Sequence, residues 1–462
     1  MPRANTAHAR EQLAFSILRA LEIIFLVVLY ALSFSLRGAL LLMLGRREQC
    51  VELLGEHLAR LCERLGPTFI KVGQVFSSRP DLLPASLVAP LIRLQDQIAP
   101  FDVAIIPGII EEAFGQPFNQ VFDSFDLAPV ASASIAQVHR AHLKDGRKVA
   151  VKIRRPGISP LVEHDLQLLL FMSKVLAALP GMSTVPLTEL VNDVGAHIRQ
   201  QLDFNLEAAN NRQFRRHFDG IEYIKMPELV EHLCTENVLT MEYLDGLRRI
   251  DPARFNMQER KTAALAGLRA LYKMIFTDGL IHADMHPGNV FVREWGEFVI
   301  LDMGLVAHLT EADRQDFTDF FFGLVNNQGK ECARIIYQHA SYCAGNFNRA
   351  AFEAAMVELI QRHSALKSQE FEVARFVHQL IETQRRFKLR GSTKFMMTIL
   401  SMVVFDGICK QLYPECDFQF EARGFLITSR YSRNQAGRGR LPHRASYNRG
   451  RQGAYWMEVE AN

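Results

Sequence analysis

Asp284, Asn289 and Asp302 are three oxygen-bearing side chains at intervals that suit phosphoryl transfer. Asp284 and Asn289 stand five residues apart in His282-Ala283-Asp284-Met285-His286-Pro287-Gly288-Asn289. That is the interval between a catalytic carboxylate and a metal-binding amide. Asp302 follows thirteen residues after Asn289, in Leu301-Asp302-Met303-Gly304. Val290–Val292 and Phe298–Leu301 fill most of the gap and read as two strands about the turn Glu294–Glu297. A hairpin there returns the chain so that Asn289 and Asp302 can face one Mg²⁺, leaving Asp284 near the attacking oxygen. An Asp and an Asn five apart are common by chance. With the hairpin and the second Asp, the set points to an ATP site.

A phosphate site also needs a cation. Lys152 ends Val149-Ala150-Val151-Lys152, close to the V-A-I-K strand of protein kinases. Alternation puts Val149 and Val151 on one face and Ala150 and Lys152 on the other. Glu207 is the expected carboxylate partner, and Asp203, four residues earlier, is expected on the same helical face. Where kinases carry a glycine-rich loop, this chain has Ala131-Ser132-Ala133-Ser134-Ile135-Ala136. Small residues let backbone N–H groups approach phosphates, but alanine has less φ freedom than glycine, so the loop is stiffer. Glu242 and Tyr243, where a strand leaves through Asp245-Gly246, complete the expected ATP-binding set.

The positioning elements follow from pattern. Leucines at 53, 54, 58, 61 and 65 mark a helix that Gly66-Pro67 stops, and helices continue to about Phe122. From Leu127 to Ile153 the reading is strands, with Asp145-Gly146 as a hairpin turn. Helices return from Leu161 to His217. Everything from Ala263 to about Arg430 reads as helical apart from the hairpin after Asn289. Thr310-Glu311-Ala312-Asp313 resembles a capping box. It leaves only about five residues between Gly304 and the next helix, and no A-P-E motif is present. A conventional protein kinase docks its peptide on that segment, so its shortness argues against one.

Composition sets outer limits. The 462 residues are 48% hydrophobic, and the net charge of +3 gives no global pull toward nucleic acid. Seven scattered cysteines without a C-x-x-C pair read as free thiols in a reducing compartment. Ile23–Leu36 carries no charge, Arg37 interrupts, and Gly38–Leu44 is apolar again. Fourteen residues fall short of the ~20 that span a bilayer, whereas Ile23–Leu44 would suffice. A run apolar on all sides favours membrane contact over a helix packed on the protein, and both spanning and interfacial placements stay open. The tail from Arg430, with seven arginines among Gly, Ser and Asn, reads as a solvated disordered segment.

Together these motifs resemble the UbiB/AarF family of atypical kinase-like proteins, over roughly residues 50 to 420. Phe69-Ile70-Lys71-Val72-Gly73-Gln74 matches the family's K-x-G-Q, and His282 to Asn289 matches its catalytic loop. Gln137-Val138-His139, Leu202-Asp203 with Glu207–Asn210, and Gly407–Pro414 also fit. The resemblance implies an α+β, bilobal protein-kinase-like fold with a helical N-terminal extension over the active-site cleft. It implies that Lys71, Gly73 and Gln74 cover that cleft and that Lys71 meets an E-x-D motif, here reduced to Gln201 and Asp203. Met303 stands where D-F-G has Phe, and Ser132 replaces a loop alanine.

The expected domains are an apolar segment at 1–46, the helical extension at 47–125, a kinase-like N-lobe with inserted helices at 126–246, a helical C-lobe at 247–429 and the tail at 430–462. The implied function is ATP hydrolysis, with Mg²⁺, supporting isoprenoid-quinone (ubiquinone) biosynthesis or related lipid handling on the cytoplasmic side of a bacterial inner membrane. The implied partners are a membrane lipid or quinone precursor and quinone-biosynthesis enzymes, with no nucleic acid. A true phosphotransferase and a non-catalytic nucleotide- and lipid-binding scaffold are the alternatives.

Overall fold

The computed structural model describes residues 2–77, 85–94, 99–178, 187–365 and 371–436. Its contacts divide the chain into two units. One takes the chain up to Arg212 and again Pro227–Leu244; the other takes Gln213–Met226 and everything from Asp245.

The first unit opens with α1 (Pro2–Met43), α2 (Arg47–Leu65), α3 (Pro67–Ser77) and α4 (Ala85–Ile92). Gly66, at φ +92°, turns the chain between α2 and α3. After α5 (Ile106–Phe114) and α6 (Phe118–Val121) come β1 (Phe122–Phe125), β2 (Ala131–Ser132), β3 (Ala136–Leu143) and β4 (Lys148–Arg154). Helices α7 (Ile158–Ala177), α8 (Leu187–Leu202) and α9 (Phe204–His217) follow. Strand β5 (Ile224–Lys225) belongs to the second unit, and β6 (Leu229–Cys234) and β7 (Val238–Glu242) return to the first. The antiparallel sheet has the order β1-β3-β4-β7-β6, with β2 paired to β3. The β3–β4 turn closes at Asp145-Gly146, where Gly146 takes φ +84°.

Alternation along β4 explains how the sheet is covered. Val149, Val151 and Ile153 face a core with Ile106 and Ile110 of α5. On the other side Ala150 joins a core with Phe204 and Ala208 of α9 and Ile198 and Leu202 of α8. Val72, Val75 and Phe76 of α3 pack into that second core. The helical extension is thereby fixed to α7 and α8 within this unit.

The second unit continues with β8 (Arg248–Arg249), α10 (Met257–Tyr272), a π-helical turn at Lys273–Asp278, β9 (Leu280–His282), β10 (Val290–Val292), β11 (Phe298–Ile300) and β12 (Val306–His308). Helices α11 (Glu311–Val325) and α12 (Gly329–Gln338), strand β13 (Ala340–Cys343), helices α13 (Arg349–Ser364) and α14 (Val373–Arg386), strand β14 (Leu389–Gly391), and helices α15 (Thr393–Leu412) and α16 (Phe418–Ala436) complete it. The order of its larger sheet is β5-β11-β10-β8. The capping box forms as expected: Thr310 Oγ1 accepts from Asp313 N, and Asp313 accepts from Thr310 N.

Gly267 of α10 is required by packing. A Cβ there would overlap the Phe405 ring and meet Phe298 at 3.0 Å. Gly267→Ala is expected to cost about 1–3 kcal/mol, the usual range for overpacking, read as a lowered denaturation midpoint with unchanged m-value.

Within the expected span 126–246, Gln213–Met226 groups with the second unit. Phe214 and Phe218 join the core of the second unit, and β5 pairs in parallel with β11. Three expectations are corrected. The region after Ala263 is not purely helical. Strands β9 and β12 pair, as do β13 and β14; three- and four-residue strands leave no alternation to read. Asp203 does not share a helix with Glu207, since it occupies the break between α8 and α9. The tail does not begin as coil at Arg430, because α16 runs to Ala436. Between Arg430 and Ala436 the chain has no glycine, and arginines near a helix C-terminus suit its dipole. The rest of the expected tail, from 437, lies outside the described residues.

Candidate active site

In the first unit, β4 brings Lys152 to the sheet face that α9 covers. Lys152 Nζ donates to both carboxylate oxygens of Glu207, each at 2.8 Å. Both residues are buried. Glu207 lies in the first turn of α9, where the helix dipole favours a carboxylate. Lys152 Nζ also lies 5.1 Å from the centre of the Phe204 ring, within cation–π range. A paired, desolvated ammonium in a fixed position is preorganised to meet phosphate oxygens.

The break before α9 gives Asp203 a local task. Its Oδ1 accepts from Asn205 N at 2.9 Å, capping the helix that carries Glu207. Gln201, in the last turn of α8, has a buried side-chain oxygen with no hydrogen-bond partner. On α3, Lys71 is buried. Gly73 lets α3 approach Leu94, which a Cβ would overlap, and Gln74 Nε2 donates to the Leu94 carbonyl at 3.1 Å. The Gly-Gln pair therefore locks α3 to the segment after α4.

Of the expected phosphate loop, Ala131 and Ser132 form β2, paired with Val138 and Gln137. Ala133 N donates to Ala136 O at 2.8 Å, closing a tight turn. Ala131 is exposed, whereas Ser134 is fully buried and so belongs to the packing under the turn. At the end of β7, Glu242 Oε2 accepts from Glu228 N at 3.2 Å. Tyr243 N donates to the Lys148 carbonyl, and Lys148 Nζ lies over the Tyr243 ring at 5.5 Å.

In the second unit, the residues from His282 to Gly304 form one hydrogen-bonded cluster. Strands β10 and β11 pair Val290 with Ile300, and Leu301 N donates to Asn289 O at 3.0 Å. The hairpin thus holds Asn289 beside the Asp302 segment. Asn289 Nδ2 donates to the Asp284 carbonyl at 3.0 Å and to Asp284 Oδ2 at 3.2 Å. With its nitrogen engaged, the Asn289 amide leaves its oxygen as the atom that could meet a metal. Asp302 Oδ1 accepts from Gly304 N at 2.7 Å, which orients the carboxylate. His286 Nε2 lies 3.6 Å from Asp284 Oδ2.

His282 ties these pieces together, a role the sequence alone did not assign. Asp284 N donates to His282 Nδ1 at 3.1 Å, and His282 Nε2 donates to the Asp302 carbonyl. Nδ1 accepts and Nε2 donates, so the ring is neutral with its proton on Nε2. Burial, the largest cause, lowers its pKa and favours that state. The only clue in the sequence was its position two residues before Asp284. Met303 is buried in the core of the second unit.

The donor chemistry fits Mg²⁺: an amide oxygen from Asn289 and a carboxylate from Asp302. Among the described residues no group of three His, Cys, Asp or Glu side chains could hold a metal. Magnesium needs no such cage, since it commonly takes one or two protein oxygens together with substrate phosphates and water.

Residues 93–336 match the ABC1 atypical kinase-like domain, and residues 356–417 match the UbiB helical domain. The probable protein kinase UbiB of Vibrio cholerae serotype O1 (strain M66-2) is 33% identical over 400 residues, covering 85% of this chain and 73% of that protein. The protein of the same name from Cellvibrio japonicus (strain Ueda107) is 34% identical over 380 residues, covering 80% of this chain and 68% of its own. Among solved structures, the complex of Rv3197 with erythromycin from Mycobacterium tuberculosis aligns with a TM-score of 0.53 at 24% identity, over 82% of this chain and 95% of that one. That likeness speaks for the kinase-like fold alone.

Proposed function

Because the chain belongs to the ABC1/UbiB family of atypical kinase-like proteins, we propose that it binds ATP with Mg²⁺ and hydrolyses it slowly at a membrane. The turnover supports isoprenoid-quinone (ubiquinone) biosynthesis or related lipid handling. Lys152, held by Glu207, binds nucleotide phosphates. The β2–β3 turn approaches them through its backbone, and Glu242 and Tyr243 bound the base. Asn289 and Asp302 hold the metal, which neutralises phosphate charge when bound. Asp284 orients the attacking oxygen and takes its proton. Lys71, Gly73 and Gln74, with Asp203 and Gln201, restrict access.

The observation that carries hydrolysis over peptide phosphorylation is the fate of residues 304–310. Val306–His308 pair as β12 with β9, and Thr310 already caps α11. Ala283 N also donates to the Leu305 carbonyl at 3.0 Å. The backbone that would dock a peptide is spent on bracing the catalytic loop. Water needs no such platform.

The test is γ-labelled ATP with the purified full chain, with and without liposomes, beside a mixture of soluble proteins. Release of labelled phosphate, stimulated by lipid, with negligible protein labelling is expected. Robust transfer to proteins that disappears in Asp284→Asn would overturn the ATPase reading and favour a protein kinase, the activity in the curated relatives' name. Quinone profiling of a deletion strain, with rescue by the wild type but not by Asp302→Asn, tests the pathway.

A further inference from the structure

We propose that α1 lies flat in one leaflet of an anionic bilayer as an interfacial strut, with the outer face of α7 as a second contact, and does not cross the membrane. The inference rests on the membrane reading above and decides its geometry. Residues Ile17–Met43 are long and apolar enough to span, with a mean hydropathy of 2.2. Their two faces, however, have different partners.

One face is bound to the protein along its length. Arg19 pairs with Asp165 of α7 through Nε and Nη2, at 2.9 and 3.0 Å, and donates to the Leu65 carbonyl at 2.6 Å. The Asp165 side chain is completely buried. Ile23 packs with Leu65 and Phe69. Ser33 Oγ lies 3.2 Å from His57 Nε2, and the Cys50 thiol of α2 approaches the Gly38 carbonyl. Pulling α1 upright through a bilayer would break all of these and leave Asp165 buried without its cation.

The other face has no protein partner among the described residues. Leu21, Phe25, Val28, Leu32, Leu36 and Met43 are exposed and recur at helical spacing. At 3.6 residues per turn the exposed positions cover about half the helix circumference, wider than the stripe two packed helices share. From Ile24 to Leu44 the single charge is Arg37, which follows Arg19 by five turns and, being exposed, sits at the margin of that half. The Ser35 hydroxyl donates to Ala31 O at 2.8 Å, as a hydrocarbon surrounding demands. Exposed Arg37, Arg46 and Arg47 give headgroup contacts. On α7, Phe171 and Val175 are exposed one step round from Leu168 and Met172, which pack against the cluster of Ile23, Leu65 and Phe69. Exposed Lys174 stands between them.

The test uses the full chain with Trp295 and Trp456 changed to phenylalanine, and single reporters Leu21→Trp, Leu32→Trp, Leu40→Trp and Phe171→Trp. Vesicles of phosphatidylethanolamine and phosphatidylglycerol carry bromine at shallow or deep acyl positions. Flotation with the vesicles, and stronger quenching by shallow than by deep bromine at all four positions, is the expected result. Deepest quenching at Leu32→Trp, with Phe171→Trp unquenched, would mean a spanning helix and overturn the strut while leaving membrane association intact. Absence of flotation would overturn both. A stable dimer in light scattering whose reporters stay shielded from bromine would show a second copy on this face and also overturn the proposal. Wild-type thermal midpoints for the four variants confirm that folding is not the cause.

Discussion

Lys152→Ala is expected to destabilise the first unit by about 3–5 kcal/mol and to remove nucleotide binding. The stability loss follows from burial. Glu207 would keep its carboxylate in a desolvated site without the ammonium that now meets both its oxygens at 2.8 Å, and stranding one member of a buried ion pair carries a penalty of about that size. The loss of binding follows from chemistry, since the other cations on that face of β4 have other partners, Arg154 at the Leu202 carbonyl and Glu236 and Lys148 over the Tyr243 ring. The two effects separate in a double variant. Lys152→Met with Glu207→Gln removes both charges and should recover much of the stability while binding stays absent. Urea denaturation with and without MgATP measures both quantities. If the double variant is as unstable as Lys152→Ala, the pair's role in stability is wrong; if either variant still gains stability from MgATP, its role at the nucleotide is wrong.

The Lys152 strand was legible because alternation over Val149–Ile153 is a local pattern, and a sheet covered on both sides must respect it. The hairpin after Asn289 and the Thr310 cap were legible for the same reason: turn chemistry and capping act over a few residues. What stayed hidden depended on partners far along the chain. Nothing near Asp203 announces that the helix breaks there, so in the sequence the four-residue spacing to Glu207 reads as a shared face. The parallel pairing of Ile224–Lys225 with β11 draws that segment into the second unit, yet two residues carry no pattern of their own. Arg19 reads as a flanking charge of an apolar run until its partner 146 residues away is known. The ABC1/UbiB resemblance named the functional motifs, but the structure gave the physical reason for Gly73 and Gln74, which is the close approach of α3 to Leu94.

Asp284→Asn is expected to lower kcat for ATP hydrolysis by roughly 10²–10⁴-fold, the usual contribution of a positioned acid or base, with little change in nucleotide affinity. The geometry supports this split. Asp284 is held from its backbone by His282 Nδ1 and from its side chain by Asn289 Nδ2. An asparagine can keep the second bond by turning its own oxygen toward Asn289, so the hairpin and the proposed metal ligands stay in place. What it cannot do is accept a proton from the attacking oxygen. Asp302→Ala should behave in the opposite manner, because it removes a ligand of the metal that binds with the nucleotide. Its thermal midpoint should no longer rise with MgATP, whereas that of Asp284→Asn should rise as the wild type does. Single-turnover hydrolysis under saturating MgATP isolates the chemical step from binding and release. A loss below tenfold in Asp284→Asn at full occupancy would remove Asp284 from the proton transfer. It would leave orientation of the nucleotide by Lys152, Asn289 and Asp302 as the source of catalysis.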